Sequence, residues 1–475
     1  MGMRFRKTKI WMMITVGLSS CLPIPQQELP QQTASGLDHA TAQALADGTL
    51  SFGNSLSRKW WKELGDPTLN ELEETALTIS PTLKKVEERL KAAMEVVTER
   101  AAKLYPELNF DAATNYEHFS RYGFFREVAP TVPAVINDIT LNLSFTYEFD
   151  FWGKNRAIMH AAMGAASALA AERLQAELIL TTSIAYAYCE LQYLLYEKKV
   201  LEEKESNLKA ILLSRVKRER YALDTIMESL NARSDVLDVE AKLISLGQKI
   251  KTQIHRLKAL SGMGQDAELV IDYRPIDPLR VFVPENLSLD LLSRRPDLIA
   301  QKARVEAASF QVGAAKTLFY PNINLTALAG VETIHWNKVF NVASFDGALI
   351  PAIHLPIFTA GRLRAQWKEK IAEFNEAVFG YNELILQAAQ EVTDQLTNIS
   401  LLQKEIGVRG ESLEVAAERT RVLKKRVAHA LDDRISLLKI ENLFLDTELT
   451  VKQLEYGKQL ANILLIRGLG GGLYE

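Results

Sequence analysis

The sequence predicts a mostly helical chain with a smaller β component: long α-helical hairpins and four β-strands, laid out twice by an internal tandem duplication. Three observations predict it. First, Pro81–Ala112 and Pro296–Ala327 match at about ten of 32 positions, including the pairs Tyr105-Pro106 and Tyr320-Pro321. The stretch ending at Ala157 then matches the one ending at Ala365, and Tyr221–Asp224 matches His429–Asp432, in the same order. The unit is far longer than a solenoid repeat, so each half has its own internal plan. Second, Lys154 to about Arg220 has no proline and one glycine, and would form a helix roughly 100 Å long. Third, each half contains stretches whose side chains alternate apolar and polar, the period of a β-strand.

In chain order, Leu69–Leu104 reads as one amphipathic helix, with Leu83, Val86, Leu90, Ala93 and Val97 at helical spacing, ended by Tyr105-Pro106. The period then changes to two over Leu108–Glu117. A loop rich in aromatics and proline follows, Phe119 to Pro133. The alternation sharpens over Ile139–Asp150. Ile139, Leu141, Leu143, Phe145, Tyr147 and Phe149 point one way; Thr140, Asn142, Ser144, Thr146, Glu148 and Asp150 point the other. These are about the lengths of tilted transmembrane strands, and the apolar face carries no charge. A strand half in a soluble core has a similar pattern. After the long helix, a break near Tyr221–Thr225 precedes a second helix, Ile226–Leu260, which stops at Gly262 and Gly264.

The second half repeats the plan. A helix is expected over Leu287–Phe319 and a strand over Asn322–Glu332. A second strand spans about Phe345–Ile357, and Gly361 opens a helix from Arg362 to about Val427. A turn at Ala428–Asp433 and a helix to about Arg467 follow, with Gly468 and Gly470–Gly472 at the end. The two shorter helices between one long helix and the next strand together match its length, which predicts a return path of two helices stacked end to end. The expected domains are 1–20 signal peptide, 21–58 tether, 59–286 first repeat and 287–475 second repeat. Four strands cannot close a barrel, since the smallest transmembrane barrels need about eight. An open sheet edge in lipid would leave backbone groups unpaired. If the strands lie in a membrane, several copies of the chain share one barrel, arranged cyclically.

The N-terminus stands apart. Arg4, Arg6, Lys7 and Lys9 precede the short apolar run Ile10–Leu18, the pattern of a signal peptide rather than of a transmembrane helix. Leu18-Ser19-Ser20-Cys21 resembles a bacterial lipobox, which implies cleavage before Cys21 and lipid attachment there. An ordinary signal peptide with an incidental cysteine is the alternative. Pro23–Ala46 has the composition of a flexible tether. Cys189, the second of two cysteines, falls in a helical run and reads as a core thiol.

The 56 basic and 59 acidic residues give no electrostatic reason for a nucleic-acid partner. His39, His118, His160, His255, His335, His354 and His429 are scattered without metal-ligand spacing. No phosphate-binding glycine loop or nucleophile elbow occurs. The chain is expected to be no enzyme and to hold no cofactor, catalytic residue or metal.

Motifs along nearly the whole chain resemble one family. They are Trp60-Trp61…Leu64-Gly65-Asp66-Pro67…Leu69, then Pro81 and Leu83, then Tyr147–Lys154. Arg294-Arg295-Pro296-Asp297-Leu298 follows, with Phe319-Tyr320-Pro321, then Leu355-Pro356-Ile357-Phe358…Gly361-Arg362, and the closing Leu-Gly-Gly-Gly. Each alone is weak; in order and in both repeats they resemble the TolC-like outer-membrane factors, in their lipoprotein branch (the OprM/NodT type). The resemblance implies a homotrimer, a 12-stranded barrel in the outer membrane of a Gram-negative-type bacterium, and a helical barrel reaching into the periplasm. It implies an exit duct for efflux or secretion, with a periplasmic adaptor, an inner-membrane pump of RND type and outer-membrane lipid as partners. Two alternatives are a periplasmic coiled-coil scaffold lipoprotein and the outer-membrane component of a type I protein-secretion system.

At each periplasmic turn the family has Arg-x-x-x-Gly. Here Arg218 and Arg426 are present, but Ala222 and Ala430 replace glycine. Alanine resists positive φ, so the turns are expected to be shaped differently or to be held by Asp224 and Asp432. Positions that are often aspartate in the family hold Ser436 and Lys439. Candidate gate residues are therefore these, with Glu228, Asp433 and Arg434. A charge latch is expected in which Arg434 or Lys439 pairs with Asp224, Asp432 or Glu228.

Overall fold

The computed structural model describes residues 51–52, 58–279, 282–283 and 294–472. The expected signal peptide, Cys21, nearly all of the tether and the first residues of the helix expected from Leu287 lie outside the described residues.

The elements are β1 (Ser51–Phe52), α1 (Pro67–Ile79), α2 (Pro81–Ala102), β2 (Glu107–His118), α3 (Phe124–Val128), β3 (Val135–Phe149), α4 (Lys154–Arg220) and α5 (Ile226–Leu260). β4 (Phe282–Val283) closes the first repeat, and the second continues with α6 (Pro296–Thr317), β5 (Asn322–Thr333), β6 (Phe345–His354), α7 (Arg362–Ala428) and α8 (Arg434–Gly468). The duplication survives in the helix lengths. α4 and α7 have 67 residues each, α5 and α8 have 35, and α2 and α6 have 22.

Where the boundaries depart from expectation, proline explains most of it. Leu69–Leu104 is two helices, because Ser80 is extended (ψ 121°) ahead of Pro81. α6 begins only at Pro296, in the first-turn position that proline favours, with Arg295 extended before it. β6 stops at His354, since Leu355-Pro356 cannot continue a ladder. The loop after β2 contains the one-turn helix α3.

The return path also differs. α5 does not stack onto α6. α2 and α5 both pack on one side of α4, at the strand end and the turn end respectively, while α6 and α8 both pack between α4 and α7. Each interrupted helix is therefore made of two helices of the same repeat, α2 with α5 and α6 with α8, and not of one helix from each repeat as expected. Close packing accounts for the alignment at the strand end: Ala168 and Ala171 of α4 bury against Ala300 and Ala303 of α6. A Cβ on Gly164 would lie 2.9 Å from that of Ala307, so glycine is what lets the axes approach there. At the turn end, Ile211, Ala232, Ile435 and Leu438 join α4, α5 and α8.

The main core lies midway, around Trp60, Trp61, Leu69, Leu72, Tyr188, Leu257 and Ile463. Asp66 fixes the first helix to α4. One carboxylate oxygen caps α1 by accepting from Thr68 N–H at 2.8 Å; the other accepts from Tyr188 Oη–H at 2.6 Å. Cys189 is buried beside it as expected, and burial, with the Asp66 charge, pushes its thiol up to about 12. Among the described residues no helix is long and apolar enough to cross a membrane.

The candidate conduit wall and its periplasmic turns

β2, β3, β5 and β6 form one antiparallel sheet in that order. Register turns four separate alternations into a single face. Leu108 lies opposite Phe145, Phe145 opposite Ala327, and Ala327 opposite Leu349. The rows on either side run Phe110–Leu143–Ala329–Gly347 and Tyr147–Leu325–Pro351. A slip of one residue in any strand would place polar groups on this face. The opposite face carries Asn109, Ser144, Asp111, Asn142, Thr140, Glu332, Glu148 and Asn324. Gly330 serves that polar side: a Cβ there would meet the Asn142 side chain at 2.3 Å. β2 and β6 each have one free edge, and Phe110, Leu349 and Ile353 of the apolar face are two-thirds or more exposed. A sheet with one uncharged apolar face, one polar face and two open edges satisfies the requirement of a lipid-facing wall only when further strands close it.

The helical layer has the same incompleteness. Near the turns its order is α5–α4–α8–α7, which leaves α5 and α7 at the edges. Both edges expose apolar residues every seventh position: Leu230, Leu237 and Ile244 on α5; Leu401, Val408, Val415 and Val422 on α7. Ile244 is 77% and Val408 69% exposed. A seven-residue period is that of a coiled-coil seam. At ~1.5 Å per residue the first stripe covers about 6–27 Å above the turn and the second about 9–40 Å, so they are matched in height. The sequence contains both stripes, but neither is distinguishable there from the stripes that are buried within the chain.

At the turns, Ala222 and Ala430 adopt the left-handed conformation, with φ of 53° and 57°. The expectation of a differently shaped turn is corrected: alanine takes the conformation glycine would. Leu223 N–H donates to the Arg218 carbonyl and Ala222 N–H to that of Glu219, both at 2.8 Å. Leu431 and Ala430 repeat this with Arg426 and Val427. These are paired Schellman bonds, which satisfy the last carbonyls of each long helix.

The aspartates then lock the arginines. Asp224 Oδ2 accepts from Arg218 Nε and Arg215 Nη1, each at 2.9 Å, and its side chain is only 9% exposed. The Arg218 hydrogen bond, then that of Arg215, holds its carboxyl below the usual carboxylate range. Arg215 also reaches Glu228 of α5 at 3.2 Å. Asp432 accepts from Arg426 at 2.5 Å. Asp433 caps α8 by accepting from Ser436 N–H at 2.8 Å, and the bonds to Ser436 lower its pKa.

The expected latch is therefore corrected within the chain: its acids are already taken by Arg215, Arg218 and Arg426. Among the described residues, Arg434 and Lys439 form no ion pair with Asp224, Asp432 or Glu228. Arg215 was missed in the sequence, though it lies three residues before Arg218 on the same helical face. Asp433 does come near the first turn, since the charges of Arg218 and Arg215 act on it. The candidate residues of both turns thus share one end of the layer. No group of His, Cys, Asp or Glu among the described residues could hold a metal ion.

Comparison with known proteins agrees with this geometry. The model of the outer membrane efflux protein family matches residues 72–263 and 287–471. The multidrug resistance outer membrane protein MdtP of Escherichia coli K12 is 27% identical over 466 residues, covering 96% of this chain and 94% of its own. The protein named putative multidrug resistance outer membrane protein MdtQ, from the same strain, is 27% identical over 479 residues and covers 96% of both chains. Among solved structures, the outer membrane protein VceC of Vibrio cholerae superposes with a TM-score of 0.78 at 31% identity, covering 89% of this chain and all 100% of that one. The CmeC outer membrane channel of Campylobacter jejuni has the same fold, with a TM-score of 0.83 at 19% identity and 94% of each chain covered. With a matching family model over both repeats, an apolar sheet face to meet lipid and a helical layer projecting from it, this chain belongs to the outer membrane efflux protein family and is an exit duct of the outer membrane that extends into the periplasm.

Proposed function

We propose that three copies of the chain close into one duct that passively conducts substrates delivered by an RND-type inner-membrane pump through a periplasmic adaptor. The observation that supports this reading is the pairing of deficits. The sheet has two open edges, the helical layer has two edges with matched apolar stripes, and the same copy of the chain can complete both. In a ring, α5 of one copy would meet α7 of the next, and β2 would meet β6, a head-to-tail contact that closes by rotation. Four strands and four helical positions per chain then give a 12-stranded barrel above a 12-helix tube.

Drugs are the substrate class suggested by the names of the Escherichia coli relatives, which are called multidrug resistance proteins. The two turns, with Arg218, Ala222, Asp224, Glu228, Arg426, Ala430 and Asp432–Arg434, together with Ser436 and Lys439, form the end that faces adaptor and pump. The chain makes and breaks no covalent bond in this cycle. Cys21 carries lipid at the mature N-terminus, and Cys21→Ala would leave an unprocessed precursor.

The test is reconstitution. Purified protein should migrate as a heat-modifiable trimer in detergent and conduct in a planar bilayer, and deletion of its gene should raise drug susceptibility. A detergent-independent monomer without conductance would support the scaffold reading instead. Crosslinking to an ABC transporter rather than an RND pump would assign the duct to protein secretion.

A further inference from the structure

The four long strands contain no lysine or arginine. Cations begin directly below them. Lys103 follows α2, Lys316 lies in the last turn of α6, and Arg362 and Arg364 open α7. All four are exposed, and none forms an ion pair among the described residues. Lys154 and Arg156 lie at the same level but are engaged by Glu148 and Asp150.

This band has a defined height. β2 and β5 start, and β3 and β6 end, along one edge of the sheet, where Ile323 lies opposite both Phe149 and Ile353. That row is the foot of the apolar face. Exposed aromatics mark the same boundary: Tyr105, Phe151 and Trp152. Trp152 Nε1–H donates to the Pro321 carbonyl at 2.7 Å, and its ring stacks on Tyr320 at 5.0 Å, which fixes the end of β3 to the start of β5. The carboxylates at this joint, Glu148 and Asp150, belong to the polar face and are met by Lys154 and Arg156. Arg362 forms no ion pair among the described residues, where its guanidinium donates to Gln366 Oε1 at 3.3 Å.

We propose that this strand–helix junction binds anionic phospholipid of the periplasmic leaflet, with a headgroup phosphate taken by Arg362 and the remaining cations, Lys103, Lys316 and Arg364, forming a collar around it. The inference rests on the membrane-embedded sheet of the reading above. Guanidinium is the side chain best matched to phosphate oxygens. Aromatic rings with a polar edge are the side chains that settle at headgroup depth. An apolar face without charge that ends in a row of cations has the charge profile of a bilayer boundary, and each basic residue near an anionic surface adds attraction. The occupant is identified by that chemistry: a phosphate attached to acyl chains that continue up the apolar face.

Native mass spectrometry of the detergent-solubilised full chain tests it. Protein would be titrated with phosphatidylglycerol, with phosphatidylcholine and with inorganic phosphate. The expected result is retained phosphatidylglycerol, little phosphatidylcholine and no displacement by inorganic phosphate at equal concentration. Arg362→Gln should weaken retention about fivefold, with a similar factor for each of Lys103→Gln, Lys316→Gln and Arg364→Gln. Arg409→Gln, far down α7, should change nothing. Equal retention of phosphatidylcholine, or retention unchanged in the quadruple variant, would overturn the proposal. Displacement by inorganic phosphate would also overturn it, since the site would then be an anion site facing water. If the quadruple variant fails to form the oligomer, Arg362→Gln alone decides. Wild-type protein that conducts in bilayers without preferring the anionic lipid sinks this inference and leaves the duct intact; protein that never conducts removes both.

Discussion

Replacing Ala222 by glycine should tighten the first periplasmic turn. At φ 53° the alanine Cβ crowds the neighbouring carbonyl, a conformation that costs an L-residue about 1–2 kcal/mol. Glycine removes that cost but loses more backbone freedom on folding, by about 0.5–1 kcal/mol. The net gain is therefore roughly 0.5–1 kcal/mol per turn, a factor of about two to five in the local opening equilibrium. Global melting is a poor readout, because turns at the end of a long hairpin open without the core. Amide hydrogen exchange of a peptide spanning 217–227 is the suitable assay, since Ala222 and Leu223 N–H groups are the donors of the two capping bonds. The exchange rate of these amides should fall about two- to fivefold in Ala222→Gly, with peptides from the Trp60–Tyr188 core unchanged. Ala430→Gly, at φ 57°, should do the same at the second turn. Faster or unaltered exchange in both variants would mean that the alanines carry no strain there, and that the ion pairs alone set the shape of the turns.

Two further outcomes follow from other parts of the molecule. Glu73 is wholly buried, and among the described residues neither of its carboxylate oxygens has a hydrogen-bond partner, so burial raises its pKa well above the ordinary 4.5. The folded state holds this proton more tightly than the unfolded chain. Stability should therefore fall as pH rises above 4.5 towards the folded value, and Glu73→Gln should flatten that part of the pH–stability curve. An unchanged slope would place water or a partner at the carboxyl. On the edge stripes, Ile244→Asp or Val415→Asp should abolish the heat-modifiable oligomer without loss of helix content by circular dichroism, since both side chains are exposed in the single chain and would lie in the seam between copies. An intact oligomer in both variants would rule out the α5–α7 contact.

Much of the fold was legible in the sequence, for reasons that can be named. α4 and α5 are delimited by glycine, by a charged turn and by long stretches without proline, all strictly local signals. β3 shows its faces because every second residue from Ile139 to Phe149 is apolar. The Leu69–Leu104 helix was misjudged because Pro81 satisfies the helical period while forbidding Ser80 the helical conformation. The stacking of α6 over α8, rather than α5 onto α6, was hidden, since α6 is placed by Gly164 of α4 meeting Ala307, a contact across 143 positions of sequence that no periodicity reports. At the turns, the sequence identified Asp224 and Asp432, but within the chain their cations are Arg218 and Arg426 and not Arg434 or Lys439. Arg434 is nearer to Asp432 along the chain, yet the aspartates face back toward the long helices that precede them, where Arg218 and Arg426 wait six residues upstream.

The duplication also left the two turns unequal, and that inequality can be tested. The repeats align with Arg218 on Arg426 and Asp224 on Asp432, which places Arg215 opposite Leu423 and Glu228 opposite Ser436. In the first hairpin, Arg215 binds Asp224 and Glu228 together and so ties α4 to α5 across the turn. In the second, Leu423 has no charge and Ser436 serves in the cap of α8. The first turn is thus cross-linked by two guanidinium groups and the second by one, and α7 and α8 are joined beyond the turn by the longer, more exposed Lys424–Glu441 pair at 3.7 Å. Exposed ion pairs weaken with salt while shielded pairs and Schellman bonds do so much less; Asp224 is 9% exposed and Asp432 31%, so the second turn should be the one that salt loosens. Limited trypsin digestion reads this directly, since Lys217-Arg218 and Lys425-Arg426 offer matched cleavage sites at the two turns. At low salt the second turn should be cut first; raising the salt should widen the difference. Arg215→Leu combined with Glu228→Ser gives the first turn the residues of the second, and should make the two cut at similar rates at any salt. If the first turn is cut faster at low salt, or the double variant leaves the order unchanged, the Arg215 bridge does not hold the hairpin closed.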